Sequence, residues 1–124
     1  MRVLLDTQAL ILGYLGALPA RAHAILADPE TERLLSATSI AEIAVKNSIG
    51  KLQMGEAELT RAVEDLQVDV MPFEPHHAAA MFSLHLHHRD PFDRMILATA
   101  QVERLPIVTG DRVFRRYSGI KIIW

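Results

Sequence analysis

Apolar and polar positions follow two rhythms along this chain. Short, nearly continuous apolar runs recur at 2–5 (RVLL), 33–38 (RLLSAT), 68–73 (VDVMPF), 105–109 (LPIVT) and 120–124 (IKIIW), each of strand length. Between them, apolar residues three and four apart mark helices near 8–17, 20–27, 39–49, 56–66, 75–84 and 92–103. Such alternation reads as an α/β domain with a mainly parallel sheet and helices on both faces. Pro75 and Pro91 suit first-turn positions, and Ser39 followed by Glu42 has the form of a capping box. Gly50 supplies a stop for the third helix.

Composition narrows the class. At 124 residues and 50% hydrophobic, the chain is expected to form one domain, 1–124, with a core of its own. There is no cysteine, so disulfides and thiolate metal sites are excluded and any metal must be held by oxygen or histidine. The apolar start MRVLLDTQALILGYLGAL is broken early by Asp6, unlike the core of a signal peptide, and is too short to span a membrane. The expectation is a cytoplasmic protein without membrane attachment. Net charge is -2, but it is unevenly spread: from Gln53 to His88 one basic residue faces six acids, and from Arg89 to Trp124 seven basic residues face four. A local basic patch suited to phosphate contact is therefore available in the last third.

In an open parallel sheet, sites gather outside the carboxyl ends of the strands. Asp6 directly follows RVLL, and Asp111 follows LPIVT after one glycine. Glu42 is placed in the first turn of the helix after 33–38, and Asp93 in the first turn of the helix preceding LPIVT. Asp93 joins the other three only if its helix begins beside the same rim. Each acid also has a structural role open to it. Asp6, Asp90 and Asp111 can cap helices, and Glu42 can close the box with Ser39 or pair with Lys46 one turn on. Together they make a cluster whose repulsion calls for a cation. Asp90 is assigned to starting its helix, and Asp93, one turn along, to the cluster. An all-oxygen ligand set suits Mg²⁺ or Mn²⁺.

Four segments in order, LLDTQALI with Asp6, SIAEIAVKNSIGKL with Glu42, HRDPFDRMILATA with Asp93 and LPIVTGD with Asp111, resemble a PIN-domain ribonuclease, in particular a VapC-type toxin of a toxin-antitoxin pair. The resemblance covers almost the whole chain. It implies a three-layer α/β/α fold with about five strands, and a metal-dependent endoribonuclease in which Asp6, Glu42, Asp93 and Asp111 form the site. It further implies products with a 5'-phosphate and a 3'-hydroxyl, a homodimer, and silencing by a small cognate antitoxin. The chain has Gln8, Ala41 and Gly110 where many relatives have histidine, tryptophan and arginine.

Among nearby polar residues, Thr7, Lys46, Arg94, Thr109 and Arg112 are the candidates for contacts with RNA or with the ligand carboxylates, Arg94 foremost because it adjoins Asp93. The histidines of HLHH (85–88) lack the spacing of a zinc site, and His88 is placed at the border of the groove. Phe73, Phe82, Phe92 and Phe114 lack the spacing of a base-stacking platform and are assigned to core or interface. The helix at 8–17 is apolar nearly all round, as burial or a subunit or antitoxin interface requires. Two other classes stay open: a silent RNA- or protein-binding module of the same fold, and a DNA nuclease or phosphatase with the same acids.

Overall fold

A computed structural model describes residues 1–124. Five strands, β1 (Arg2–Leu5), β2 (Glu32–Ser36), β3 (Asp69–Met71), β4 (Ile107–Val108) and β5 (Ile122–Ile123), form one sheet in the order β3-β2-β1-β4-β5, every pair parallel. The helices are α1 (Thr7–Tyr14), α2 (Ala20–Ala27), α3 (Ala37–Ser48), α4 (Glu56–Asp65), α5 (Pro75–Ala80) and α6 (Pro91–Glu103). Short 3₁₀ turns occupy Met81–Ser83 and Arg112–Arg116.

The strands read as continuous apolar runs because both faces of the sheet are covered. Val3, Leu5, Leu35, Val108 and Ile123 point to one face, where they meet Ala9 and Leu10 of α1, Ile43 of α3 and Leu59 of α4. Leu4, Leu34 and Ile107 point to the other, against Ile96, Leu97 and Ala100 of α6 and the buried Phe114. Period-two alternation within RVLL thus serves two cores at once. The expected α/β architecture with a parallel sheet of about five strands is the observed one. No helix is long and apolar enough to cross a membrane.

Several boundaries differ from the pattern reading. The last strands are only two residues long because β4 and β5 pair over Ile107↔Ile122 and Val108↔Ile123 alone. Helix α1 ends at Tyr14, ahead of a left-handed Gly16, and leaves Leu15 67% exposed. Phe82 stands 97% exposed. The largest correction concerns α3. Its N-cap is Ser36, whose side chain accepts from the Thr38 amide; the ladder to β3 ends at Ser36↔Met71, and the backbone turns into helix at once. Ser39 and Glu42 therefore form no capping box, and Glu42 lies in the second turn. Pro75 and Pro91 do occupy first-turn positions, and Gly50, at φ +75°, follows the end of α3.

The chain order places a topological switch point at the centre. From β1 the chain moves to β2 and β3 on one side, then returns through α6 to β4 on the other. The connections leaving β1 and β4 therefore diverge and open a crevice at their carboxyl ends. Asp6 and Asp111 follow those two strands.

Candidate active site

Three of the carboxylates are helix caps. Asp6 is the N-cap of α1: Oδ1 accepts from the Ala9 amide at 2.7 Å, and Oδ2 accepts from the Thr109 hydroxyl beyond β4. Asp90 is the N-cap of α6, its Oδ1 accepting from the amides of Phe92 (2.9 Å) and Asp93 (3.1 Å). Asp111 caps the 3₁₀ turn that follows it, accepting from Val113 N at 2.9 Å, while its own amide donates to Thr109 Oγ1 at 3.0 Å. Glu42 caps nothing. Its Oε1 accepts from the Thr7 hydroxyl at 2.6 Å and its Oε2 from Lys46 Nζ at 2.5 Å, one turn further along α3. Thr7 Oγ1 also lies 2.9 Å from Ser39 Oγ, so the serine expected to cap α3 instead braces the threonine that holds Glu42.

The capping roles and the cluster coexist. Asp6, Glu42, Asp90, Asp93 and Asp111 line one cavity of about 590 Å³, with Lys46 and Lys51 on its wall and Trp124 and Ile11 among its apolar contributors. Helix α6 begins beside the rim formed by β1 and β4, and Asp93 in its first turn lines the same cavity. Asp90 reaches the same cavity while capping its helix.

Among these acids Asp93 accepts no hydrogen bond from the chain; its nearest polar neighbour is His88 Nε2, 3.5 Å from Oδ2. Burial raises the Asp93 carboxyl to about 7, with the charges of Asp90, Glu42, Asp6 and Asp111 adding to it. Burial likewise raises Asp6, but only to about 6, since the hydrogen bonds from Thr109 and the Ala9 amide oppose burial and the charges of Glu42 and Asp111. Glu42 raises Lys46 above its ordinary value by accepting its hydrogen bond. Burial lowers His88.

The other expected residues divide. Thr7 lines the cavity and Thr109 is buried behind it, both hydroxyls holding carboxylates rather than standing free. Lys46 lines the cavity, paired with Glu42. Arg94 does not: Nη1 donates to the carbonyl of His85 (2.9 Å) and Nη2 to that of Leu84 (3.2 Å), so its guanidinium ties the preceding loop to α6. Adjacent residues on a helix diverge by about 100°, so Arg94 faces away when Asp93 faces in. Arg112 is exposed on the 3₁₀ turn beside Asp111 and does not line the cavity.

Pattern reading missed Trp124 as a cavity residue and Tyr117 as the partner of His88; Gln8 and Lys51 line the cavity as well. Trp124 was recoverable only from sheet order: β5 pairs with β4 through Val108↔Ile123, which sets Trp124 beside Thr109 and Gly110. A second group, His76, His77 and Glu103, lies at the far end of α6. There the buried His77 accepts from Glu74 N through Nδ1 (2.9 Å) and donates from Nε2 to Glu103 (2.7 Å), locking α5 to α6. With both ring nitrogens committed, His77 keeps no lone pair for a metal.

Residues 3–120 match the PIN domain family. Among solved structures, VapBC2 from Rickettsia felis bound to a promoter DNA fragment is similar with a TM-score of 0.74 at 15% identity, over 98% of this chain and 97% of that one. DNA-bound VapBC from Salmonella typhimurium gives 0.69 at 20% identity over 98% and 96%, and FitAcB from Neisseria gonorrhoeae gives 0.59 at 23% over 98% and 96%. At such identities the likeness is one of fold. No curated protein sequence matches the chain.

Proposed function

The chain belongs to the PIN domain family, and from that premise we propose that it is a Mg²⁺- or Mn²⁺-dependent endoribonuclease acting as the toxin of a toxin-antitoxin pair. The observation that carries the reading is the shared cavity of Asp6, Glu42, Asp93 and Asp111 at the switch point, with Asp93 held up to about 7 and Asp6 to about 6. These are carboxylates whose repulsion the chain does not fully compensate: five acids face two lysines, one of them already paired with Glu42. The all-oxygen donor set fits a hard divalent cation, and Asp6, Glu42, Asp93 and Asp111 would hold it. When bound, such a cation supplies Lewis acidity for phosphodiester hydrolysis and lowers the pKa of water.

The chain's own contribution is placement. Thr109 and the Ala9 amide hold Asp6; Thr7 and Lys46 hold Glu42; Asp90 anchors α6 so that Asp93 faces the cavity. Asp93, its carboxyl raised to about 7, would hold a cation only in its ionised form. Lys51 and Lys46 on the wall, and Arg112 outside it, are the cations for RNA phosphates. A silent RNA-binding module is disfavoured, because five acids would repel the phosphates such a module must hold. A DNA nuclease or a phosphatase would use the same acids.

Partner and assembly follow by analogy. Several of the similar structures are described as toxin-antitoxin complexes, which supports a small cognate antitoxin for this chain. A homodimer is the expected assembly, with Leu15 and its neighbours at the end of α1 as exposed apolar surface. The test is incubation of purified protein with structured RNA, DNA and a small phosphoester, each with Mg²⁺ or Mn²⁺ and each with chelator. RNA cleavage abolished by chelator is expected, and cleavage that persists in chelator would overturn the metal dependence.

A further inference from the structure

His88 lies in the loop before α6, with its ring edge-on to Phe114 and Tyr117 at centroid distances of 5.7 and 5.6 Å. Its two nitrogens have very different surroundings. Nδ1 is 2.9 Å from the Tyr117 hydroxyl, whereas Nε2 is sealed from solvent, has no hydrogen-bond partner and stands 3.5 Å from Asp93 Oδ2. A buried polar atom without a partner is costly unless something completes it in the working state.

The Tyr117 hydroxyl decides which nitrogen carries the proton. Its oxygen faces two donors, the His87 amide at 3.3 Å and Arg94 Nη1 at 3.5 Å. With its lone pairs so engaged, it turns its own proton to the remaining neighbour, His88 Nδ1. An accepting Nδ1 leaves the ring proton of neutral His88 on Nε2, directed at the carboxylate that no other group in the chain holds. The guanidinium of Arg94, fixed by the carbonyls of Leu84 and His85, completes the brace behind Tyr117.

We propose that His88, oriented by Tyr117, is the positioning residue of Asp93: its Nε2–H closes onto Oδ2 and leaves the other oxygen of that carboxylate to the cation. The other acids already have such a holder, namely Thr109 for Asp6, Thr7 for Glu42, and backbone amides for Asp90 and Asp111. The gap of 3.5 Å is longer than a formed hydrogen bond, as the contacts of catalytic groups in ligand-free proteins often are. The opposite arrangement, with His88 itself as a nitrogen ligand, would put the ring proton on Nδ1. Tyr117 would then accept from three donors with no acceptor for its own proton.

This inference rests on the metal-site reading, and the experiment separates the two. Mn²⁺ is titrated into wild type, His88→Ala, His88→Gln and Tyr117→Phe, followed by calorimetry and by the fluorescence of Trp124 in the cavity wall, with melting temperatures recorded in the absence of metal. His88→Ala is expected to weaken Mn²⁺ binding about 10- to 100-fold, as loss of a group that orients a ligand does. His88→Gln, which keeps an N–H at similar reach, should recover most of that loss, and Tyr117→Phe should fall between. Electron spin echo spectra of the Mn²⁺-loaded wild type should show no directly bound nitrogen. Equal affinity in all four proteins, each folded, overturns the role of His88 and leaves the metal site standing. A nitrogen bound directly to Mn²⁺ also overturns it, by making His88 a ligand. Absence of Mn²⁺ binding by wild type overturns the metal site and this inference with it.

Discussion

The indole of Trp124 fills the space that a side chain on Gly110 would need: a Cβ there would lie 2.6 Å from Trp124 Cε2 and 2.7 Å from Cζ2. The arginine that many resembling sequences carry at this position is therefore incompatible with the indole where it stands. Gly110→Ala should force the ring out of the cavity wall, shift the emission of this single tryptophan to the red and lower stability by about 1 to 3 kcal/mol. Unchanged emission together with an unchanged melting temperature would show that the two residues do not compete for space.

Asp90 and Asp93 sit in the same cavity with different obligations, which isosteric replacement should separate. Asn serves about as well as Asp at an N-cap, so Asp90→Asn keeps the start of α6. Asp93→Asn removes a charge that nothing in the chain neutralises, and should lower RNA cleavage by orders of magnitude while leaving the fold intact. Asp90→Asn should lower it far less. Equal losses at unchanged stability would mean that Asp90 is as much a ligand as Asp93.

The raised carboxyls make a pH prediction of unusual sign for aspartates. Because Asp93 and Asp6 titrate near 7 and 6 in the folded chain, the fold retains protons that the unfolded chain has released. From the ordinary aspartate value, about pH 4, up to about pH 7, rising pH therefore favours unfolding at these two sites. The metal-free melting temperature of wild type should decline over that window relative to Asp93→Asn, and Mn²⁺ should restore it most strongly above pH 7. Parallel curves for the two proteins would contradict the raised values.

Glu42→Gln distinguishes a metal site from a set of structural ion pairs. As a structural pair with the half-exposed Lys46, the interaction is worth about 0.3 to 0.5 kcal/mol, and Mg²⁺ would not matter. In a metal site, removing one of several repelling charges offsets that loss, so the metal-free variant should be at least as stable as wild type. Mg²⁺ at about ten times its dissociation constant should stabilise wild type by about 1.4 kcal/mol, or roughly 3 to 6 °C, and the variant by little of that. Wild type and variant melting in parallel, with and without Mg²⁺ up to tens of millimolar, would remove the metal site.

Much of the frame was legible along the chain because the forces behind it are local. An apolar run covered on both faces, a proline at a first turn, and an acid whose side chain reaches an amide two or three residues on all act within one turn or one strand. On that basis RVLL-Asp6, Asp90-Pro91 and Asp111-Arg112 announced three caps and two strand ends, and the structure has all of them. That Asp6 and Asp111 stand at adjacent strand ends needed the strand order as well.

Tertiary packing decided the remainder, since helix rotation and strand neighbours depend on residues far apart in sequence. Ser36 rather than Ser39 caps α3 because the β3 ladder ends there, and Glu42 consequently belongs to Thr7, 35 residues away. Arg94, adjacent to Asp93 in sequence, stays out of the cavity because the carbonyls of Leu84 and His85 hold its guanidinium. Trp124 reaches the cavity through the pairing of β5 with β4, and His88 meets Tyr117 across 29 residues behind Asp93. Local chemistry thus placed Asp6, Asp90 and Asp111 at the starts of their helices. The packing of α6 against the sheet brought them into one cavity and selected the side chains that hold them.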